Sequence, residues 1–399
     1  MKFLLAAATG VLLLLSGCTC SPASPSGDAA TAAPSASPTG ELLQVLDPLA
    51  RLTGAHVLMG DAETVNGGTY DSFFEDEVAL LISSGALEST GLQIDKTGDT
   101  QNLEEALSYG LNAAVHVRDA GIATLTDTLL TTNGLGAAGV FCTGDGSSAI
   151  LSGGLLSTAG EASPAIAALD GAAVQLQDTE LLTDSLQSPC LLARGGAHIE
   201  AAGIRANASE AGLLELGDAS LTLDNCTLSG AGARLSGAAS LTATGGALTA
   251  STADALFTLT GGEATVSLTG VALTRSGGGA LLSVLSGRLS LLCDYQALEG
   301  ELSVADGAEL AVTLQNNSTF TGSVSADERM RLSLSLDATS RWFVTGDSYV
   351  EALSDADATL QNIESNGFTI YYNSENEANA WLDSKPYALP GGGYLSPLI

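Results

Sequence analysis

One short phrase recurs along this chain. "SLTLDNCTLSG" at Ser220–Gly230 returns in variant form as "ATLTDTLLT" from Ala123, "AVQLQDTELLT" from Ala173 and "ATVSLTGVALT" from Ala264. Aligned on their first apolar residue, the copies start at Ala123, Ala149, Val174, Ile199, Leu221, Leu241, Val266, Leu289, Leu310 and Leu332. Successive starts lie 20 to 26 residues apart, a period that marks a solenoid, in which each repeat buries its apolar face only by stacking on its neighbours.

The pattern inside each copy is stricter than the spacing. Two residues after the start every copy is apolar, as at Leu125, Leu176, Leu223 and Leu268, and the residue between is usually polar, as at Thr124, Gln175, Thr222 and Ser267. That is the alternation of a strand with one buried face. Four residues after the start the first seven copies carry Asp127, Gly153, Asp178, Gly203, Asn225, Gly245 and Gly270. These residue types tolerate positive φ or bond their own backbone, so the chain turns a corner there. A second apolar series follows at Leu130, Leu156, Leu181, Ala206, Leu228, Leu248 and Leu273. A worn copy, "ALESTGLQI", places Leu87, Gly91 and Ile94 in register, and the excess before Ala123, around "DKTGDTQNLEEALSYG", reads as a loop with a short helical turn. In the last three copies Leu314 and Leu336 fall where the corner residue is due, so the corner is expected to disappear.

These features predict an all-β chain: a right-handed parallel β-helix solenoid of about ten to eleven rungs over residues 78–345. Residues 41–77 are expected to form an N-terminal cap region and 346–399 a C-terminal cap, and the large side chains of "RWFVTGDSYVEAL", Trp342, Phe343 and Tyr349, are expected to cover the last rung. A propeller blade needs about 40 residues, so that alternative does not fit the period. Aromatics are only 5% of the chain, so the core has to be built from Leu, Ala, Val and Ile.

The N-terminus gives an address. "MKFLLAAATGVLLLLSGC" has a basic start at Lys2 and an apolar stretch too short to span a bilayer, ending in "LSGC". That ending resembles a bacterial lipobox. The resemblance implies a lipoprotein signal peptide at 1–17 and a lipid attached to Cys18. Residues 18–40 are then the lipidated Cys and a flexible Ser/Pro/Ala tether. The expected location is the cell envelope, with the domain held outside the cytoplasm by a lipid anchor in the bacterial membrane.

The repeat region resembles large bacterial surface proteins with parallel β-helix domains, called adhesin-like and related in architecture to pectin lyases and autotransporter passenger rods. The residues carrying the likeness are "KTGD" at Lys96–Asp99, "YGLNAAV" at Tyr109–Val115, corners such as "STAGEASPAI", and "GFTIYYN" with "LPGGGYL" near the end. "RWFVTGDSYVEAL" is similar to the last rungs of autotransporter passengers. The resemblance implies contact or adhesion at the cell surface.

Charge narrows the partners. Asp plus Glu number 45 against 13 Lys plus Arg, a formal net charge of −32. Such a surface repels nucleic acid, so the expected partners are a membrane, through the lipid anchor, and a surface glycan or protein.

No catalytic, cofactor-binding or metal residues are nominated. There is no Asp-Asp pair, no Gly-His-Gly and no Arg-Ile-Lys of the kind that polysaccharide hydrolases and lyases use. His56, His116 and His198 are scattered without metal spacing and are expected to be structural. Arg194, Arg205, Arg234, Arg275 and Arg288 fall at unlike offsets within their repeats, which suggests ordinary surface ion pairing. "TGDGSS" at Thr143–Ser148 reads as a turn. The four rod cysteines, Cys142, Cys190, Cys226 and Cys293, are expected to be free thiols filling the core. The function expected is non-enzymatic surface binding. The alternative is a polysaccharide-binding or polysaccharide-degrading lyase or hydrolase, and a passive spacer is the third reading.

Overall fold

A computed structural model of the chain describes residues 48–398, except 210–211 and 325–330. Cys18, the signal peptide and the tether lie outside the described residues.

The first three strands set the plan. Thr53–Met59, Ala62–Asn66 and Thr69–Ser72 form one triangular turn. The next turn repeats it with Glu77–Ser83, Ala86–Thr90 and Gln93–Lys96, each pairing parallel with its predecessor. We call the three surfaces built in this way the first, second and third faces. The parallel β-solenoid continues for about 14 turns. Each turn hydrogen-bonds to its neighbouring turns, which satisfies the backbone groups that a buried strand must satisfy.

The inward series are continuous ladders. On the second face Ala123, Ala149, Val174, Ile199, Leu221, Leu241 and Val266 stack in register. Beside them stack Leu125, Leu151, Leu176, Ala201, Leu223, Ala243 and Leu268, all buried. Both rows mix short and long aliphatic side chains, stacked at the rung spacing of about 4.8 Å.

The corner series is equally regular. Asp127, Gly153, Asp178, Gly203, Asn225, Gly245 and Gly270 all have left-handed backbone, with φ between 49° and 67°. Gly alternates with Asp or Asn over much of this row for a steric reason. A Cβ on Gly153, Gly203 or Gly245 would lie 2.3, 2.4 and 2.3 Å from the side-chain oxygen of Asp127, Asp178 and Asn225. The excess before Ala123 holds a short helix, α1 (Leu103–Tyr109), with Asn102 accepting from the Glu105 amide at its start and Gly110 left-handed at its end.

The structure corrects four details. First, the rod is longer than ten to eleven rungs and begins at Thr53, inside the expected cap region 41–77. The first turn escaped notice because Glu63 stands opposite Leu87. Among the described residues this turn has a paired neighbour on one side only, so its side chains need not be apolar.

Second, the alignment slips by two residues at the eighth copy. Leu291, not Leu289, pairs with Val266, and Cys293 pairs with Leu268. A slip of two keeps every side chain on its own face, so alternation cannot reveal it. In the true register the corner persists, at Tyr295 and Asn316, with φ 49° and 55°.

Third, the corner after Leu336 is built differently. Asp337 accepts from the amides of Asn316, Thr339 and Ser340 at 2.8, 2.9 and 2.7 Å. Burial raises the Asp337 carboxyl and these bonds lower it by more, leaving it at about 2.

Fourth, Trp342 is no lid. It is fully buried, stacks on Phe320 at 5.8 Å and donates Nε1–H to the Gly322 carbonyl. Beyond it Ala352–Asp355, Ile363–Glu364, Thr369–Asn373 and Tyr394–Leu398 continue the parallel stacking. The terminal hairpin is present as the antiparallel pair Tyr387–Ala388 and Tyr394–Leu395.

Cys142, Cys190, Cys226 and Cys293 are buried free thiols. Burial pushes the thiol pKa of Cys142, Cys190 and Cys293 up to about 12, so they remain protonated and inert.

The register yields a paired test. Leu223 stacks between Ala201 and Ala243 and is buried, while Thr222 beside it is exposed. Leu223→Asp buries an unpaired carboxylate and should lower stability by about 3 kcal/mol or more. Thr222→Asp should change it by less than about 0.5 kcal/mol. Equal shifts in thermal melting for the two variants would refute the register.

Candidate functional site

The outer surface of the first face changes character along the rod. Its outward row runs Leu81, His116, Phe141, Ala167, Leu192, Glu215 and Arg234, each paired in register with the next. Leu81, His116 and Phe141 are all buried, and Gly110, at the end of α1, packs closely against the Phe141 ring. His116 is fully buried with its ring edge-on to Phe141 at 5.1 Å, and burial, helped by Arg118, pushes its pKa down to about 3. It is therefore neutral and structural, with no role as a proton donor near neutral pH. Ala167 and Leu192 form an apolar floor, and Glu215 and Arg234 follow as a charged stretch before the row continues at Thr258.

Corner loops determine where this row is open. The corners from third to first face span seven residues at 159–165 and at 184–190, five at 209–213, only two at Ala231 and Gly232, and six at 251–256. Long corners raise walls, and the short one lets the sheet surface show. The result is a groove of about 350 Å³ with Phe141, Ala167 and Leu192 at its base, Pro164 and Pro189 in its wall, and Arg234 towards its far end. Arg194 and Glu215 are ion-paired beside it. The exposed Arg234 side chain has no hydrogen-bond or ion-pair partner among the described residues. From Phe141 to Arg234 the row covers five rungs, roughly 19 Å at strand spacing.

Sequence reading placed Arg194 and Arg234 at unrelated offsets, yet both line this groove. Offsets were counted from the second face, and corners of unequal length intervene before the first face. Ion pairing holds for Arg194 and also for Arg288, which donates to Glu309 at 2.7 Å, where Arg331 joins it. Arg275 donates to the Gly279 carbonyl, and the Arg205 side chain is unpaired among the described residues. His56 packs edge-on against Tyr70 at 4.8 Å, and His198 bonds Ser220 and Glu200. Thr143–Ser148 spans a strand end and a turn. Among the described residues no three His, Cys, Asp or Glu side chains gather in an arrangement fit for a metal ion.

Lys96 anchors the near end of the groove. It is fully buried at an inward position of the third face, where the next rungs carry Thr132, Thr158 and Thr183. Its Nζ donates to the carbonyls of Phe74 and Gly98 at 2.8 and 3.0 Å. Asn112 Nδ2 donates to the same Gly98 carbonyl and to Leu135 at 2.7 and 3.0 Å. Together they tie down both ends of the insertion that carries α1, whose Ala106 and Leu107 reach the groove.

Protein-family models, curated proteins and solved structures were each compared with the chain, and none matches.

Burial pushes the Lys96 pKa down to about 8, with Glu77, Asp76 and Asp99 limiting the fall. Between that value and the ordinary one, the unfolded chain holds a proton that the folded chain has released, so stability rises with pH across this window. Denaturant unfolding of the protein and of Lys96→Met from pH 7 to pH 10.5 should show the native protein gaining on the variant above about pH 8. A constant difference would mean that Lys96 titrates normally.

Proposed function

We propose that this protein is a non-catalytic, lipid-anchored surface rod that binds a ligand through the groove on its first face. The observation that carries the reading is the outward row itself. Across five consecutive rungs it passes from Phe141 through Ala167 and Leu192 to an unpaired Arg234. Such a track suits an elongated ligand with an apolar body and an anionic or strongly polar end. A guanidinium with no partner among the described residues keeps its planar fork of donors open and is a good receptor for a single carboxylate.

The envelope address rests on "LSGC" at Leu15–Cys18. With the lipid at Cys18 and the tether after it, the rod would stand clear of the membrane and present its side faces to other surfaces. That geometry suits adhesion.

Two experiments test the reading. The intact protein should bind members of a combined glycan and peptide array, and Arg234→Glu should weaken that binding about tenfold or more by reversing the charge at the groove's end. Cleavage products from the same polysaccharides would overturn the non-catalytic reading in favour of a lyase or hydrolase. Separately, Cys18→Ala should abolish incorporation of labelled fatty acid and release the protein from the membrane fraction. Label retained in the variant would remove the anchor.

A further inference from the structure

The corner between the second and third faces carries one residue that breaks its rule. Eleven successive rungs place Gly67, Gly91, Asp127, Gly153, Asp178, Gly203, Asn225, Gly245, Gly270, Tyr295 and Asn316 there, all with φ between 49° and 69°. Ten are Gly, Asp or Asn, the residues that tolerate left-handed backbone. Tyr295 is bulky, and holding it there costs about 1 kcal/mol or more.

No hydrogen bond, ring contact or ion pair among the described residues offsets that cost. Tyr295 is 70% exposed, and its ring and hydroxyl make no hydrogen bond, ring contact or charge contact with the described residues. On one side its neighbour in the corner row is Gly270, which has no side chain to cover the ring. A Cβ added there would sit 4.0 Å from the tyrosine Cδ1. On the other side Asn316 donates its Nδ2 to Asp294 Oδ1 at 2.9 Å, so a polar pair flanks the ring. Leu292, outward on the same strand, is exposed as well.

We propose that Tyr295 is a carbohydrate-binding residue, a platform on which one sugar ring stacks. A pyranose presents axial C–H groups to the electron-rich ring face and equatorial hydroxyls to neighbours that can donate and accept. Asp294 and Asn316 supply both roles. Strain retained at an exposed side chain with no internal partner points to use by a ligand. A nucleic-acid base would also stack, but the charge of −32 excludes a phosphate backbone. The platform stands at a different corner from the first-face groove, so it is independent of Arg234.

The test separates a structural residue from a binding one. Tyr295→Asn installs a residue that this corner already uses at Asn225 and Asn316. It should leave the melting temperature unchanged or higher, and it should weaken binding to a panel of purified polysaccharides (cellulose, xylan, starch, chitin, pectin and peptidoglycan) about tenfold or more. Tyr295→Phe should keep binding within about threefold, because the ring face survives. Arg234→Glu should leave Tyr295-dependent binding in place, which separates this site from the groove. The proposal is overturned if the intact protein binds no member of the panel, or if Tyr295→Asn binds as well as the native protein. A clear loss of thermal stability in Tyr295→Asn would also overturn it, because the tyrosine would then be serving the fold.

Discussion

Everything here depends on parallel hydrogen bonding between one turn and the next. A strand in this rod has no partner within its own turn, so no turn is stable alone and each is a template for its neighbour. The ladder spacing then dictates the interior. Every inward side chain meets the equivalent side chain one rung away, so the core consists of columns: the aliphatic rows of the second face and the Phe320–Trp342 stack of the third. The period is free to vary because only the strands must match. The corners absorb the difference.

That division of labour explains how much could be read from the sequence. The strands were legible because their alternation is dictated by burial, and the corner row because left-handed backbone restricts residue choice. Leu223, Thr222 and Asn225 stand where the pattern put them. Three things were hidden. The first described turn carries Glu63 opposite Leu87, with a paired turn on one side only among the described residues. The slip at Leu289 preserved every inward and outward assignment, and only the corner row could have exposed it. Trp342 looked like a lid because aromatics are scarce, whereas its indole N–H has a carbonyl partner inside the rod.

The groove was illegible for a related reason. Its residues belong to five rungs and become neighbours only through register, and its shape comes from a two-residue corner at Ala231–Gly232 between longer ones. No local motif encodes it. Lys96 stood out in the sequence only as part of "KTGD", yet it fixes the insertion that closes the groove's near end. A buried lysine with two carbonyl partners has no signature at the level of composition or periodicity.

The corner row also bears on how such a rod assembles. Because a two-residue slip keeps every side chain on its own face, and in the last three copies brings Cys293, Leu314 and Leu336 into an apolar column, a growing rod faces a competing register. Loop closure would favour whichever turn zips first, and an error would propagate into every later rung. Left-handed corner residues remove that degeneracy. A slipped turn would force an ordinary L-residue into positive φ, or press an Asp side chain against the backbone that Gly153 or Gly203 leaves clear. The corners thus act as proofreading steps along the template. The weakest step falls at Tyr295, where a residue poorly suited to the conformation occupies the checkpoint.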